Sequence, residues 1–198
     1  MARPRQVSDD EILEAARAVF LEHGPSVSTQ VIADRLGVSQ AALFKRFGTK
    51  QDLMLRAMAP PAVPEWVPLV EQGPDDRPIP EQLLDIANLV SDFFERMMPR
   101  LAIIKASGIN VDDVLNRYDM PPPVRARAAL VRWLEVAQEQ GRLGPIDPAT
   151  TGTMLLGSLQ GRVFLEKVLG IRVVENRDTY ISELIQTLWR GIAPVEEP

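Results

Sequence analysis

Between Ser28 and Lys50 the chain reads STQVIADRLGVSQAALFKRFGTK. Its polar side chains are of kinds that recognise bases and phosphates. Gln40 carries an amide that can exchange paired hydrogen bonds with an adenine edge, and Lys45 can reach a guanine or a phosphate. Ala41 is small enough to let a helix approach closely. Thr49 and Lys50 stand where a new helix should begin, so backbone N–H groups and a cation there suit a phosphate.

Those side chains need two short helices to hold them. Ser28 and Thr29 are both N-cap residue types, set just before the apolar run Val31, Ile32 and Leu36. Gly37 permits the positive φ needed to leave this helix, Val38 plugs the turn, and Ser39 caps the next. The second helix turns Leu43, Phe44 and Phe47 inward and Gln40, Ala41, Lys45 and Arg46 outward. Gly48 ends it, and Thr49 caps its successor. Such a pair can be a plain αα corner. Small Ala33, Ala41 and Ala42, together with the polar outer face, favour a helix-turn-helix whose second helix enters a DNA major groove.

The segments Ile32-Ala33, Leu36-Gly37-Val38-Ser39, Leu43-Phe44, Arg46-Phe47 and Thr49-Lys50, followed by Leu53, resemble the TetR-type transcriptional regulators. Two positions depart from that pattern. Phe44 stands where the family usually has tyrosine, so a hydroxyl that would touch phosphate is missing. Arg46 stands where it usually has histidine, and a guanidinium can replace that contact with a stronger one. The resemblance implies DNA contacts from Ser28, Thr29, Ser39, Gln40, Ala41, Phe44, Lys45, Arg46, Thr49 and Lys50.

The net charge of −5 argues at first against nucleic acid, but the charge is unevenly spread. Residues 1–58 hold eight Lys/Arg against seven Asp/Glu, and the remainder fourteen against twenty. The early bases gather at Arg3, Arg5, Lys45, Arg46 and Lys50, while the acids sit mostly in Asp9 to Glu14. A local basic face is what DNA needs, and an acidic companion domain does not forbid it. With 45% apolar residues the chain can build a core. It has no cysteine, hence no disulfide or thiolate metal site. No signal-peptide pattern or stretch of about 20 apolar residues is present, so a soluble cytoplasmic protein without a membrane partner is expected.

Along the chain, Arg3-Pro4-Arg5 is either a minor-groove arm or a solvated tail. Ser8 and Glu11 form a capping box for a helix that ends at Gly24-Pro25. His23, the only histidine, reads as a cation near that helix's C-terminus rather than a catalytic group. Gln51 to Met58 predicts a connecting helix, shortened or broken because Pro60, Pro61, Pro64 and Pro68 follow. In TetR-type regulators this connector is long and couples ligand to DNA. Glu65-Trp66-Val67 reads as a single turn. Leu83 to Met98 predicts a helix ended by Pro99, and Arg100 to Ser107 a separate one. Asn110 to Tyr118 reads as a short helix or a loop. Helices led by Pro121 and by Asp147-Pro148 follow, then one over Asp178 to Gly191, with a tail from Ala193. No strand pattern occurs.

The expected architecture is therefore all-α, about nine helices. Residues 1–50 form a three-helix helix-turn-helix DNA-binding domain, and residues 51–198 a larger helical effector-binding and dimerisation domain. Gly152, Gly157, Ser158 and Gly161 cost stability in a helix, which points to close packing by a partner helix or to a cavity. The resemblance implies a two-fold dimer through the last two helices, here Gly157, Gly161, Leu165, Ile181, Leu184 and Leu188. Two recognition helices would then face a palindromic operator. Phe93, Met97, Ile104, Trp133, Met154 and Phe164 are candidates for an apolar effector pocket, although such residues at helical spacing also simply make core. One histidine, no cysteine and no phosphate-cradling glycine loop disfavour an enzyme, with no catalytic residues, cofactor or metal expected. The leading function is a repressor released by a small apolar molecule. The alternative is a helical binding or assembly module whose helix-turn-helix is only structural.

Overall fold

The structure, a computed structural model, describes residues 7–193 and contains ten α-helices and no strand among them. The proposed arm residues Arg3 and Arg5 and the tail beyond Ala193 lie outside the described residues. The chain divides into two compact units. One holds the chain up to Ala59 together with Pro99–Arg117, the other Pro60–Met98 together with the chain from Tyr118 on. No described helix is long and apolar enough to cross a membrane.

The first unit is built on α1 (Asp9–His23), α2 (Thr29–Leu36), α3 (Gln40–Phe47) and α4 (Lys50–Met58). Each of the four begins where a side chain satisfies the orphan N–H groups of a helix start. Ser8 and Glu11 make the reciprocal capping box on α1, and Ser28, Ser39 and Thr49 cap α2, α3 and α4. Phe20, Ile32, Leu43, Phe47, Leu53 and Met58 are buried together and hold the four helices around one core. The Arg17 Nε donates to the Ala57 carbonyl at 2.9 Å, tying α1 to the end of α4. The last turns of α6 (Ile79–Ala106) and the short α7 (Val111–Leu115) complete this unit, with Ile104 and Val114 in the same core.

The second unit contains α5 (Val67–Val70), the first part of α6, α8 (Pro122–Glu139), α9 (Pro148–Lys167) and α10 (Arg177–Ile192). Asp147 caps α9 by accepting from Thr150 N at 2.6 Å, and Pro148 occupies the first helical position, where its missing N–H is harmless. A Cβ at Gly152 would meet Val131, Leu134 and Leu130 of α8 at 3.5–3.7 Å, ordinary van der Waals contact, so the packing of α9 on α8 does not require glycine there. Leu130, Leu134, Leu155, Leu159 and Ile181 are fully buried in this unit.

α6 differs from expectation. Pro99 does not end a helix there; it lies inside one continuous helix of 28 residues. Proline in a helix interior removes one hydrogen bond and crowds the preceding turn, at a cost of about 3 kcal/mol. Burial offsets that cost, because Met97, Met98 and Ile104 on either side of the proline are all buried. The prolines that follow Met58 behave as expected: α4 stops at Met58, and helix returns only for the single turn of α5.

Candidate nucleic-acid interface

α3 is eight residues long, so its two faces are easily separated. Leu43 and Phe47 point into the core. Gln40, Ala41, Phe44 and Lys45 follow the i, i+1, i+4, i+5 pattern of the opposite face. Ala41 and Lys45 are exposed, and Phe44 and Gln40 are half-buried. The turn that presents this face depends on Gly37, whose φ of 67° is left-handed and whose N–H reaches back to Ala33 and Asp34. A polar-fronted short helix after a glycine turn is the part of a helix-turn-helix that reads base edges.

Two long-range contacts fix this face. The Gln40 Nε2 donates to Thr29 Oγ1 at 2.6 Å, so a residue of α2 orients the leading amide of α3. Thr29 itself is only 3% exposed and supports that amide from beneath. The Arg46 Nη1 donates to the Val7 carbonyl at 2.6 Å and lies 3.3 Å from Asp9 Oδ1. This guanidinium is therefore engaged at the start of α1. Lys45 makes no hydrogen bond or ion pair with the described residues and projects into solvent.

The N-terminus of α4 already holds an anion. The Thr49 N–H and hydroxyl both donate to Asp52 Oδ2, at 3.2 and 2.7 Å, and Asp52 N returns a bond to Thr49 Oγ1 at 3.1 Å. The hydroxyl bond first, then the backbone bond, hold the Asp52 carboxyl below its ordinary range. Lys50 is half-buried beside it, lining a cleft of about 410 Å³ with Pro25, Ser26, Gln51 and Met54. Ser28 and Ser39 are exposed at the starts of α2 and α3, each with its hydroxyl turned to a cap bond.

The first unit matches a known family over residues 12–57, described as bacterial regulatory proteins, tetR family. The HTH-type transcriptional repressor BdcR of Escherichia coli K12 is 32% identical over 85 residues, 42% of this chain and 43% of the repressor. Residues 12–57 are thus similar to the DNA-binding region of the TetR family. The chain's match to that repressor spans under half of the repressor's length. TetR-family folds extend the likeness over nearly the whole chain. A TetR family transcriptional regulator from Pseudomonas syringae pv. tomato superposes with a TM-score of 0.62 at 18% identity, covering 93% of this chain and 96% of that one. The flavonoid-responsive regulator FrrA gives 0.58 at 22% identity, covering 94% and 97%. At such identities the likeness concerns the fold alone.

The residues expected to line an effector pocket do not come together. Phe93, Met97 and Trp133 are buried in the second unit, with Phe93 edge-on to Phe94 at 5.8 Å. Ile104 belongs to the core of the first unit. Met154 and Phe164 are 58% and 43% exposed on α9. α9 is apolar on more than one face, burying Leu155, Leu159 and Val163 while presenting Met154 and Phe164 outward. Met154 lines an apolar groove of about 430 Å³ along α9 and α10 with Leu184 and Leu188, both expected at a dimer contact. Gly157 and Gly161 have open space where a Cβ would stand. Leu165 is half-buried, and Ile181 is wholly in the core.

Two arginines make long-range contacts that have no signal in the sequence. The pairing of Arg46 with Val7 and Asp9 joins residues 37 and 39 positions apart. In the second unit, Arg162 shares the last turns of α9 with Glu166 and Lys167, and only its pairing with Glu166 at i+4 is local. It donates to Ser91, Glu95 and Glu166 at 2.9, 2.6 and 2.7 Å while almost wholly buried.

Proposed function

We propose that this protein is a dimeric, sequence-specific DNA-binding regulator of transcription, acting as a repressor that a small apolar molecule releases. The observation that carries the DNA reading is the outer face of α3, where Gln40 is held by Thr29 and Lys45 stands free in solvent. A preset amide and a mobile cation on one helix face supply base reading and phosphate attraction together. BdcR is a transcriptional repressor by name, which supports repression here. FrrA is flavonoid-responsive by name, which supports an effector with aromatic and apolar surface. Phe93, Met97 and Trp133 are the residues we propose to meet it. No enzymatic activity is proposed.

In this reading Ser28, Ser39, Ala41, Phe44 and Lys50 border the duplex. Thr49 and Thr29 act mainly through Asp52 and Gln40, which they hold. The test is anisotropy titration of the full chain on a duplex selected from a random library, over several salt concentrations. Selective nanomolar binding with a steep salt slope is expected. Lys45→Ala should weaken it about tenfold and flatten the slope by about one. Failure of the wild-type chain to select any duplex would overturn the reading and leave the helix-turn-helix a purely structural corner.

A further inference from the structure

The geometry points to a binding site for a small organic carboxylate in the second unit. It is a cleft of about 430 Å³ formed by α6, the end of α9, the segment that follows it and the start of α10. That volume suits a small ligand. The site stands apart from the DNA-binding reading, and none of Phe93, Met97 and Trp133, proposed to meet the apolar effector, lines it. One wall is Arg162, 4% exposed, which donates to Ser91, Glu95 and Glu166 at 2.9, 2.6 and 2.7 Å. Arg177 extends that wall, bonded to Asp92 at 2.6 Å and 3.3 Å from Glu95. These carboxylates neutralise both guanidinium groups, so the pair builds the wall rather than drawing a ligand. The Arg162 Nε is nonetheless buried without a hydrogen-bond partner among the described residues, an unsatisfied donor in that wall.

The uncompensated charge belongs to two other cations of the lining. Lys167, the last residue of α9, is exposed, and its ammonium makes no hydrogen bond or ion pair with the described residues. Arg172 donates from Nε and Nη2 to the Val174 and Glu175 carbonyls, at 3.2 and 2.9 Å. Those bonds hold the guanidinium but bring no countercharge, because a carbonyl is neutral. Along this segment Leu169, Ile171 and Val173 are exposed, while Gly170, Arg172 and Val174 between them line the cleft. A carboxylate answers both cations with charge-assisted hydrogen bonds. Its apolar remainder can lie on Val174 and on the aliphatic stems of Lys167 and Arg172. Charge balance favours a monoanion over phosphate. The lining holds four basic and three acidic side chains, and one of the acids, Glu175, makes no ion pair with the described residues. A dianion would be repelled by that carboxylate about twice as strongly.

The experiment is isothermal titration calorimetry on the full chain without DNA. Benzoate and hexanoate are the probes, with benzamide, hexanamide and inorganic phosphate as controls. At least one carboxylate should bind with a Kd below about 1 mM, and its amide at least about tenfold more weakly. Lys167→Met keeps an apolar stem, removes the charge and should weaken binding at least about tenfold. Its thermal midpoint should stay that of the wild type, because the side chain is exposed and unbonded. Glu175→Gln removes the opposing carboxylate and should tighten binding about threefold, a gain that a merely structural role would not produce. The inference is overturned if both carboxylates bind more weakly than about 1 mM. Phosphate as tight as the better carboxylate would mean an unselective anion site, and an unchanged Kd in Lys167→Met would put the ligand elsewhere. Weaker binding by Glu175→Gln would mean that the cleft takes a cationic group. Each of these three also overturns it, and none bears on the DNA-binding reading, which rests on α3.

Discussion

Thr29 shows how one buried hydroxyl can set the chemistry of an exposed face. Its oxygen accepts the Gln40 amide at 2.6 Å, and its burial keeps water from competing for that bond. Thr29→Val preserves the shape and removes the acceptor. Stability should fall by about 1 kcal/mol in urea melts. Affinity for the selected duplex should fall up to about tenfold while affinity for unrelated DNA stays the same, because a freely rotating amide loses base discrimination and no phosphate contact. Equal losses on both DNAs would show that Gln40 reads no base. At this scale the sequence reveals what is local. Ser8, Ser28, Ser39, Thr49 and Asp147 could be assigned as caps because each bonds a group two or three residues away. The link from Gln40 to Thr29 spans eleven residues and that from Arg46 to Val7 thirty-nine, so both arise only once the helices have docked.

At the scale of elements, the α2–α3 turn hangs on Gly37. Its left-handed φ of 67° is strained for any residue with a Cβ, although no atom lies within 4 Å of where that Cβ would be. Gly37→Ala should therefore cost about 1 kcal/mol through backbone strain alone, and Gly37→Asn less, because Asn tolerates this region. Equal costs for the two would point to a steric cause instead. In the second unit, Arg162 joins α9 to α6 through Ser91 and Glu95 and is 5.9 Å from the Tyr180 ring of α10. Arg162→Ala would leave Glu166 without its cation and Glu95 with Arg177 alone, 3.3 Å away. Removing one partner of a buried pair costs about 3–5 kcal/mol. Here the lower end is expected, since Glu95 and Glu166 remain 28% and 18% exposed. A loss under about 1 kcal/mol in a denaturant melt would show that water replaces the arginine. The helices themselves were readable from apolar spacing, proline and glycine. α6 was not, because whether Pro99 ends a helix is decided by burial around it and not by its neighbours in sequence.

For the whole molecule, the all-α architecture was plain in the sequence, and the family resemblance rested on the stretch from Ile32 to Leu53. Which apolar residues of α9 are core and which are surface was not plain, because both share one chemistry on that helix. Its outer face carries Met154 and Phe164, and the chain just beyond adds exposed Leu169, Ile171 and Val173. So many large apolar side chains in water on one segment mark a surface that something covers. A second copy related by a two-fold axis is the proposed occupant, seated along the groove of Met154, Leu184 and Leu188. The double variant Met154→Asp/Phe164→Asp tests this with little disturbance of the core, because the two side chains are 58% and 43% exposed. Its unfolding free energy per chain should change by no more than about 0.5 kcal/mol for each substitution. Its mass by light scattering should fall to that of one chain. Affinity for a duplex with two half-sites about 34 Å apart should then drop at least tenfold, while affinity for a single half-site stays unchanged, because only the linkage between two reading heads is lost. A variant that keeps the wild-type mass would place the contact elsewhere, and a wild type of single-chain mass at micromolar concentration would remove the dimer from the proposal.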